Sequence, residues 1–215
     1  MIKAVLFDLD GTLADTAPGL AQALNCLLQE EGRAVLPLAV IRPHASNGTR
    51  GLLKLGLGVT PEGAGYPELA RRFLDHYAVT LGHEVSLFPG VPALLEALEA
   101  RSLAWGVVTN KPHRFTLPLV EQLGLAARCA CVVSGDSTPY PKPDPAPLLL
   151  ACQQAGVAPE YSLYVGDDQR DIVAGRAAGM RTVAVTWGYL GVEVPPAEWQ
   201  ADALVSEPAG ILALL

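Results

Sequence analysis

The fold is decided by one stretch near the start of the chain, Lys3-Ala4-Val5-Leu6-Phe7-Asp8-Leu9-Asp10-Gly11-Thr12. A short apolar run of this kind suits a strand buried on both faces of a parallel sheet. It ends in two acids one residue apart. Asp8 and Asp10 share a side of an extended chain, so two negative charges crowd together unless a cation or a proton lies between them. Open α/β sheets bind their ligands at the C-terminal ends of strands, which is where this pair falls. A plainer reading also fits: an Asp-Gly turn after a strand, with Thr12 capping a helix. Taken alone, the stretch leaves both readings open.

Beyond it, some seventy residues carry no strand pattern. Leu20, Leu24, Leu27 and Leu28 recur with helical spacing. A second helical pattern follows Asn47-Gly48 through Leu52, Leu53 and Leu55, and a third runs through Leu69, Phe73, Leu74 and Tyr77. A βαβ crossover needs only one helix, so residues 15–85 read as a helical insertion. From Leu87 onward strands and helices alternate. Strands are expected at Leu103 to Thr109, Cys129 to Ser134, Ser162 to Val165, Arg181 to Thr186 and Ala203 to Val205. Pro92 suits the first turn of a helix, and the run from Pro139 to Pro145 reads as a rigid loop. The pattern predicts an α/β fold: a doubly wound parallel-sheet, Rossmann-like core from residues 1–14 and 86–215, with residues 15–85 as a helical cap inserted after the first strand.

Composition narrows the function. Half of the 215 residues are hydrophobic and 17% are charged, which allows a sizeable core and argues against wholesale disorder. A net charge of −7 with no long Lys/Arg run argues against nucleic acid or an anionic membrane as partner. No window reaches the roughly 18 consecutive apolar residues that a membrane span needs. A small anionic substrate stays possible, because a local cation or metal overrides the global field. The first strand begins too early for a secretory signal. Cys26, Cys129, Cys131 and Cys152 show neither CxxC spacing nor paired histidines. A reduced, cytoplasmic setting is the expectation.

Polar residues gather where strand patterns stop. Asp8, Asp10 and Thr12 follow the first, Thr109 and Asn110 the second, and Asp167, Asp168 and Asp171 the fourth, while Lys142 lies in the Pro-rich loop after the third. Several carboxylates make a hard-oxygen set of the kind Mg²⁺ accepts. A hydroxyl and a lysine add donors for an oxyanion, and the whole suits phosphoryl transfer, where positioning and charge neutralisation do most of the catalysis. His44, His76, His83 and His113 lack metal spacing and read as surface or packing residues. Glu96 and Glu99 read as a solvated helix face, and Trp187 and Tyr189 as either site lining or core.

The ordered set Asp8-Leu9-Asp10-Gly11-Thr12, Thr109-Asn110-Lys111, Lys142-Pro143 and Gly166-Asp167-Asp168-Gln169-Arg170-Asp171 resembles the four motifs of the haloacid dehalogenase (HAD) superfamily of phosphatases, over essentially the whole chain. The resemblance implies a HAD-like core with a helical cap. It implies Asp8 as the nucleophile that forms an aspartyl-phosphate, and Asp10 as general acid and then general base. It places Thr109, Asn110 and Lys142 on the phosphate. Mg²⁺ would be held by Asp8, Asp10 through its main-chain carbonyl, and Asp167, with Asp171 and Asp168 as further acidic contacts. An acid at position 10 favours phosphate chemistry over dehalogenation.

The segments Trp105 to Pro112, Val165 to Asp168 with Arg170-Asp171-Ile172, and Trp187-Gly188-Tyr189 look like the phosphoglycolate phosphatase group. They are also similar to a phosphatase of N-acetylmuramic acid 6-phosphate. The implied function is a Mg²⁺-dependent phosphomonoester hydrolase for a small acidic phosphorylated metabolite, 2-phosphoglycolate or N-acetylmuramic acid 6-phosphate, acting as a monomer or homodimer. A sugar phosphomutase of the same superfamily is the alternative, and a receiver-type phospho-accepting domain the alternative from another class. In the cap, the glycine of Ser46-Asn47-Gly48-Thr49-Arg50 permits close approach of backbone to ligand. Arg50 is a candidate clamp for the carboxylate that both substrates carry. The plainer reading of that segment is a helix N-cap beside a solvated arginine. Cap hinges are expected near Thr16 and Ser86.

Overall fold

The computed structural model describes residues 1–190 and 194–215. Its strands, in chain order, are β1 (Ala4–Phe7), β2 (Ala14–Asp15), β3 (Ser86–Leu87), β4 (Ala104–Val108), β5 (Val132–Val133), β6 (Ser162–Gly166), β7 (Arg181–Val185) and β8 (Ala203–Val205). Six of them form one parallel sheet in the order β5-β4-β1-β6-β7-β8. β1 lies at its centre, with Leu6 opposite Gly106 on one side and Tyr164 on the other. The chain builds outward from β1 through β4 and β5, then crosses back to β6 on the opposite flank. The crevice at that reversal opens beyond the C-terminal ends of β1, β4 and β6.

All four residues of β1 are buried because helices cover both faces. Val5 and Phe7 join one core cluster with Leu95 of α5 (Val91–Ala100) and Leu119 of α6 (His113–Gln122); these two helices follow the four of the insertion. Leu6, pointing the other way, packs with Leu148 of α7 (Ala146–Ala155) and Ala174 of α8 (Gln169–Ala177). Pro118 sits inside α6 without ending it. Glu99 is not simply a solvated acid: it accepts the Trp105 indole N–H at 3.0 Å and pairs with Arg128 at 2.9 Å.

Between β2 and β3 lie α1 (Ala17–Glu30), α2 (Leu38–Ile41), α3 (Gly48–Leu57) and α4 (Tyr66–Thr80), with a 3₁₀ turn over Arg42–Asn47. α1 buries Leu20, Leu24, Leu27 and Leu28, the face its periodicity predicts, against α4 with Phe73 and Tyr77. Each such side chain contributes about 1.5–3 kcal/mol by leaving water. The Thr80 hydroxyl also donates to the Gly19 carbonyl at 2.9 Å, fastening the two helices. Among the described residues no helix is long and apolar enough to cross a membrane.

Three local expectations need correction. The third core strand is only Val132–Val133, not Cys129 to Ser134. The Arg128 and Cys129 amides turn back to Leu125, and the Ser134 amide donates to the Ser137 hydroxyl, so the chain is free to pair only between them. Residues 14–15 are a strand after all, pairing antiparallel with Ser86–Leu87 where the chain leaves and re-enters the sheet; two residues are too few to leave a periodic signal. Thr12 caps no helix, because α1 starts at Ala17 and the Thr12 hydroxyl donates to Asp167.

Candidate active site

Asp8 follows β1 directly. Its Oδ1 accepts the Leu9 amide at 2.8 Å and lies 3.0 Å from Lys142 Nζ. Its Oδ2 has no protein partner among the described residues. Gly11 then carries the chain across the end of β6 at φ 82°, and a Cβ there would overlap the Asp167 carboxylate, so glycine is required twice over. Gly188 approaches the same aspartate from the loop after β7, where a side chain would strike both Asp167 and the Gly11 carbonyl.

Lys142 reaches the site from the Pro-rich loop. The Asn110 side-chain amide clasps its main chain, donating to the Lys142 carbonyl at 2.8 Å and accepting its amide at 2.9 Å. The ammonium is met by Asp171 at 2.7 Å, Tyr164 hydroxyl at 2.7 Å, Val108 carbonyl at 2.9 Å and Asp8 at 3.0 Å. Three N–H donors thus face four acceptors, and the group is saturated. Burial works against its charge, yet Asp171 and Asp8 raise its pKa above the ordinary lysine value.

Asp171 is set by the first turn of α8. The Asp168 and Asp171 side chains form a reciprocal capping box, with the Asp168 amide donating to Asp171 Oδ2 at 3.1 Å. Asp168 is otherwise occupied by Arg170, whose guanidinium grips it at 2.7 and 2.8 Å and also donates to the Ser46 carbonyl at 2.7 Å. Burial pushes the Asp171 carboxyl up to about 7 although Lys142 pulls it down.

Asp167 is fully buried. It accepts from the Thr12 hydroxyl at 3.0 Å, the Tyr189 amide at 2.9 Å and the Ser46 hydroxyl at 3.2 Å, all neutral donors. Burial, then Asp8, then Asp171, push its carboxyl well above the usual range. Oxygens of Asp8, Asp167 and Asp171 lie within 4.8 Å of one another. Lys142 meets the charge of Asp171; no ammonium or guanidinium among the described residues meets that of Asp167. An all-oxygen donor set with uncompensated charge fits a small hard divalent cation beside Asp8 and Asp167.

Asp10 Oδ1 receives the Thr16 hydroxyl and lies 3.1 Å from Lys111 Nζ, which also donates to the Tyr77 hydroxyl of α4 at 2.8 Å. Burial opposes charge on Lys111, but Asp10 and Tyr77 outweigh it and raise the pKa above the ordinary lysine value. Thr109, also buried, accepts the Lys111 amide at 3.2 Å.

A cavity of about 340 Å³ lies above these groups. Asp8, Asp10, Thr109, Lys111 and Lys142 form its floor, Ser46 to Arg50 its roof, and Leu20, Phe73, Leu74 and Phe115 an apolar wall. Arg50 is exposed and makes no hydrogen bond or ion pair among the described residues. Asn47 does not cap α3 with its side chain. Trp187 and Tyr189 stand behind the site: the Trp187 indole donates to the Thr12 carbonyl at 3.0 Å, and the Tyr189 hydroxyl accepts the Thr16 and Ala17 amides at 2.7 and 2.9 Å.

The family model for haloacid dehalogenase-like hydrolases matches residues 5–185. The chain belongs to that family. It is 44% identical over 206 residues to a phosphoglycolate phosphatase of Xanthomonas campestris, covering 96% of this chain and 93% of the relative. It is 41% identical over 214 residues to an N-acetylmuramic acid 6-phosphate phosphatase of Pseudomonas aeruginosa, covering 100% and 95%. A crystal structure of a predicted phosphoglycolate phosphatase from Haemophilus somnus superposes with a TM-score of 0.86 at 30% identity, covering 99% of this chain and 97% of that one. This HAD hydrolase is therefore a phosphatase, and the receiver-type alternative falls away.

Several residues of this candidate site carry no local signal in the sequence. Lys111 was visible beside Thr109 and Asn110 but carried no role. Tyr77, a regular member of a helical apolar stripe, gave no sign that its hydroxyl reaches the core. Ser46 and Arg170 meet across 124 positions of sequence, and nothing local announces that contact.

Proposed function

We propose that the chain is a Mg²⁺-dependent phosphomonoesterase working through an aspartyl-phosphate. The observation that carries this is the Asp8 carboxylate, held at Oδ1 by an amide and an ammonium while Oδ2 is left without a protein partner at a cavity floor. Asp8 Oδ2 attacks phosphorus and the bond to the leaving oxygen breaks. Asp10 donates its proton to that oxygen. Asp10 then takes a proton from the water that attacks the acyl phosphate, the bond between phosphorus and Asp8 breaks, and inorganic phosphate leaves. Thr109 sits where its hydroxyl can meet a phosphoryl oxygen. Asn110 acts through Lys142, whose backbone it clasps. Mg²⁺ would be held by Asp8, Asp167 and the Asp10 carbonyl, and when bound would neutralise charge on the transferring group. Asp171 supports Lys142, and Asp168 supports α8 and Arg170.

Residues 15–85 serve in this reading as the substrate-selecting cap, with the β2–β3 pair at its root. Arg50, exposed at the cavity roof with no ion-pair partner among the described residues, is available for a substrate carboxylate. Relatives of the chain are named for two acids, 2-phosphoglycolate and N-acetylmuramic acid 6-phosphate. The cavity volume and its apolar wall favour the larger, whose acetamido and lactyl groups offer surface that glycolate lacks. Rates on both acids and on glucose 6-phosphate test the reading. The muramic acid ester is expected to have the highest kcat/KM and to suffer most from Arg50→Ala. A preference for glucose 6-phosphate indifferent to Arg50 would overturn the substrate class.

A further inference from the structure

Asp10 is gripped directly from two separate parts of the chain and, through one of them, from a third. Thr16, in the link to α1, and Lys111, after β4, both reach Oδ1. Oδ2 has no partner among the described residues, so it is the oxygen left for proton transfer. Lys111 itself is held by α4: its buried ammonium donates to the Tyr77 hydroxyl at 2.8 Å and stands 4.7 Å from the centre of the Tyr77 ring. That ring is fixed in turn, stacked with Phe73 and tilted against Phe115 of the core at 5.1 Å between centroids.

We propose that Lys111 is a positioning residue for Asp10 and that Tyr77 ties it to the cap, so that docking α4 on the core completes the clamp on the acid/base carboxylate. With α4 away, the ammonium loses its hydroxyl acceptor and the aromatic cover that excludes water from the pair. Asp10 is then held by Thr16 and a solvated lysine. The cap thereby times proton delivery to the leaving oxygen as well as covering the substrate. This rests on Asp10 being the acid and base of the reaction.

The test compares kcat/KM for an alkyl ester, 2-phosphoglycolate, with that for 4-nitrophenyl phosphate, whose leaving group needs no proton. On the alkyl ester, Tyr77→Phe is expected to lose about 3- to 10-fold and Lys111→Met about 10- to 100-fold, with losses on the aryl ester within about 2-fold. Tyr77→Phe keeps both ring contacts, so its result stands even if Lys111→Met unfolds. Asp10→Asn is the reference and should show the largest leaving-group dependence. If Asp10→Asn shows that dependence while Tyr77→Phe and Lys111→Met lose equally on both esters, or lose nothing, the clamp is wrong. If Asp10→Asn shows none, the acid/base reading of Asp10 fails first and the clamp with it.

Discussion

Lys142 and Arg50 line the same cavity and are held in opposite ways. Lys142 is 3% exposed, its backbone clasped by Asn110 and its ammonium shared among four acceptors. Arg50 is exposed and has no such partner among the described residues. Among the described residues, the floor of the site is a network in which every charge but that of Asp167 has an oppositely charged neighbour; the roof is a short helix start carrying an exposed arginine. Reaction chemistry needs groups fixed within fractions of an ångström, which only a saturated buried network supplies. Selection among related substrates needs a contact that can vary without disturbing that network.

If the floor is the reaction centre, Asp8→Asn should lower turnover by at least about 10⁴-fold while far-UV circular dichroism stays native; turnover within tenfold of wild type would remove Asp8 as nucleophile. Chelation of divalent metal should likewise stop the reaction. Added Mg²⁺ should raise the melting temperature of the wild type but not of Asp167→Asn, since the ion relieves the crowding of Asp8 and Asp167. Equal stabilisation of both would place the metal elsewhere. Lys142→Met strips Asp171 of its buried partner and should cost about 3–5 kcal/mol in denaturant unfolding together with most of the activity. A stability loss under about 1 kcal/mol would mean the network is looser than its geometry implies. At the roof, Arg50→Ala should raise KM for an acidic phosphomonoester about tenfold, a charge-assisted contact being worth roughly 1.5–3 kcal/mol, with kcat and unfolding unchanged. A matching fall in kcat would erase the division between floor and roof.

Much of the floor was legible in the sequence because strand ends announce themselves. β1, β4 and β6 are apolar runs that stop at Asp8, Thr109 and Asp167, and a parallel sheet with this order must bring those stops together. The insertion was legible as helices by the spacing of Leu20, Leu24, Leu27 and Leu28. What a residue does at the site was less so. Asn110 and Asp168 stand within the signature runs, yet one clasps the Lys142 backbone and the other caps α8 and pairs with Arg170. A sequence position places a side chain near a site without saying which neighbour takes its hydrogen bonds.

Residue order alone therefore determined the opening stretch as a buried strand carrying two acids, the doubly wound sheet behind it and the class of chemistry at its edge. The strand and the sheet follow from short-range periodicity and from the few topologies open to alternating strands and helices; the chemistry follows from the acids, hydroxyl and lysine at the strand ends and from the resemblance of the four motifs to the HAD superfamily. Only the tertiary structure decided that Lys142 compensates Asp171 and leaves Asp167 without a cation among the described residues, and that Asp10 is held through Lys111 by a tyrosine of the helical insertion. Those contacts join residues far apart in the chain, 29 positions for Lys142 and Asp171 and 34 for Lys111 and Tyr77. They depend on which buried donors and acceptors meet when the faces close, and no local pattern encodes that.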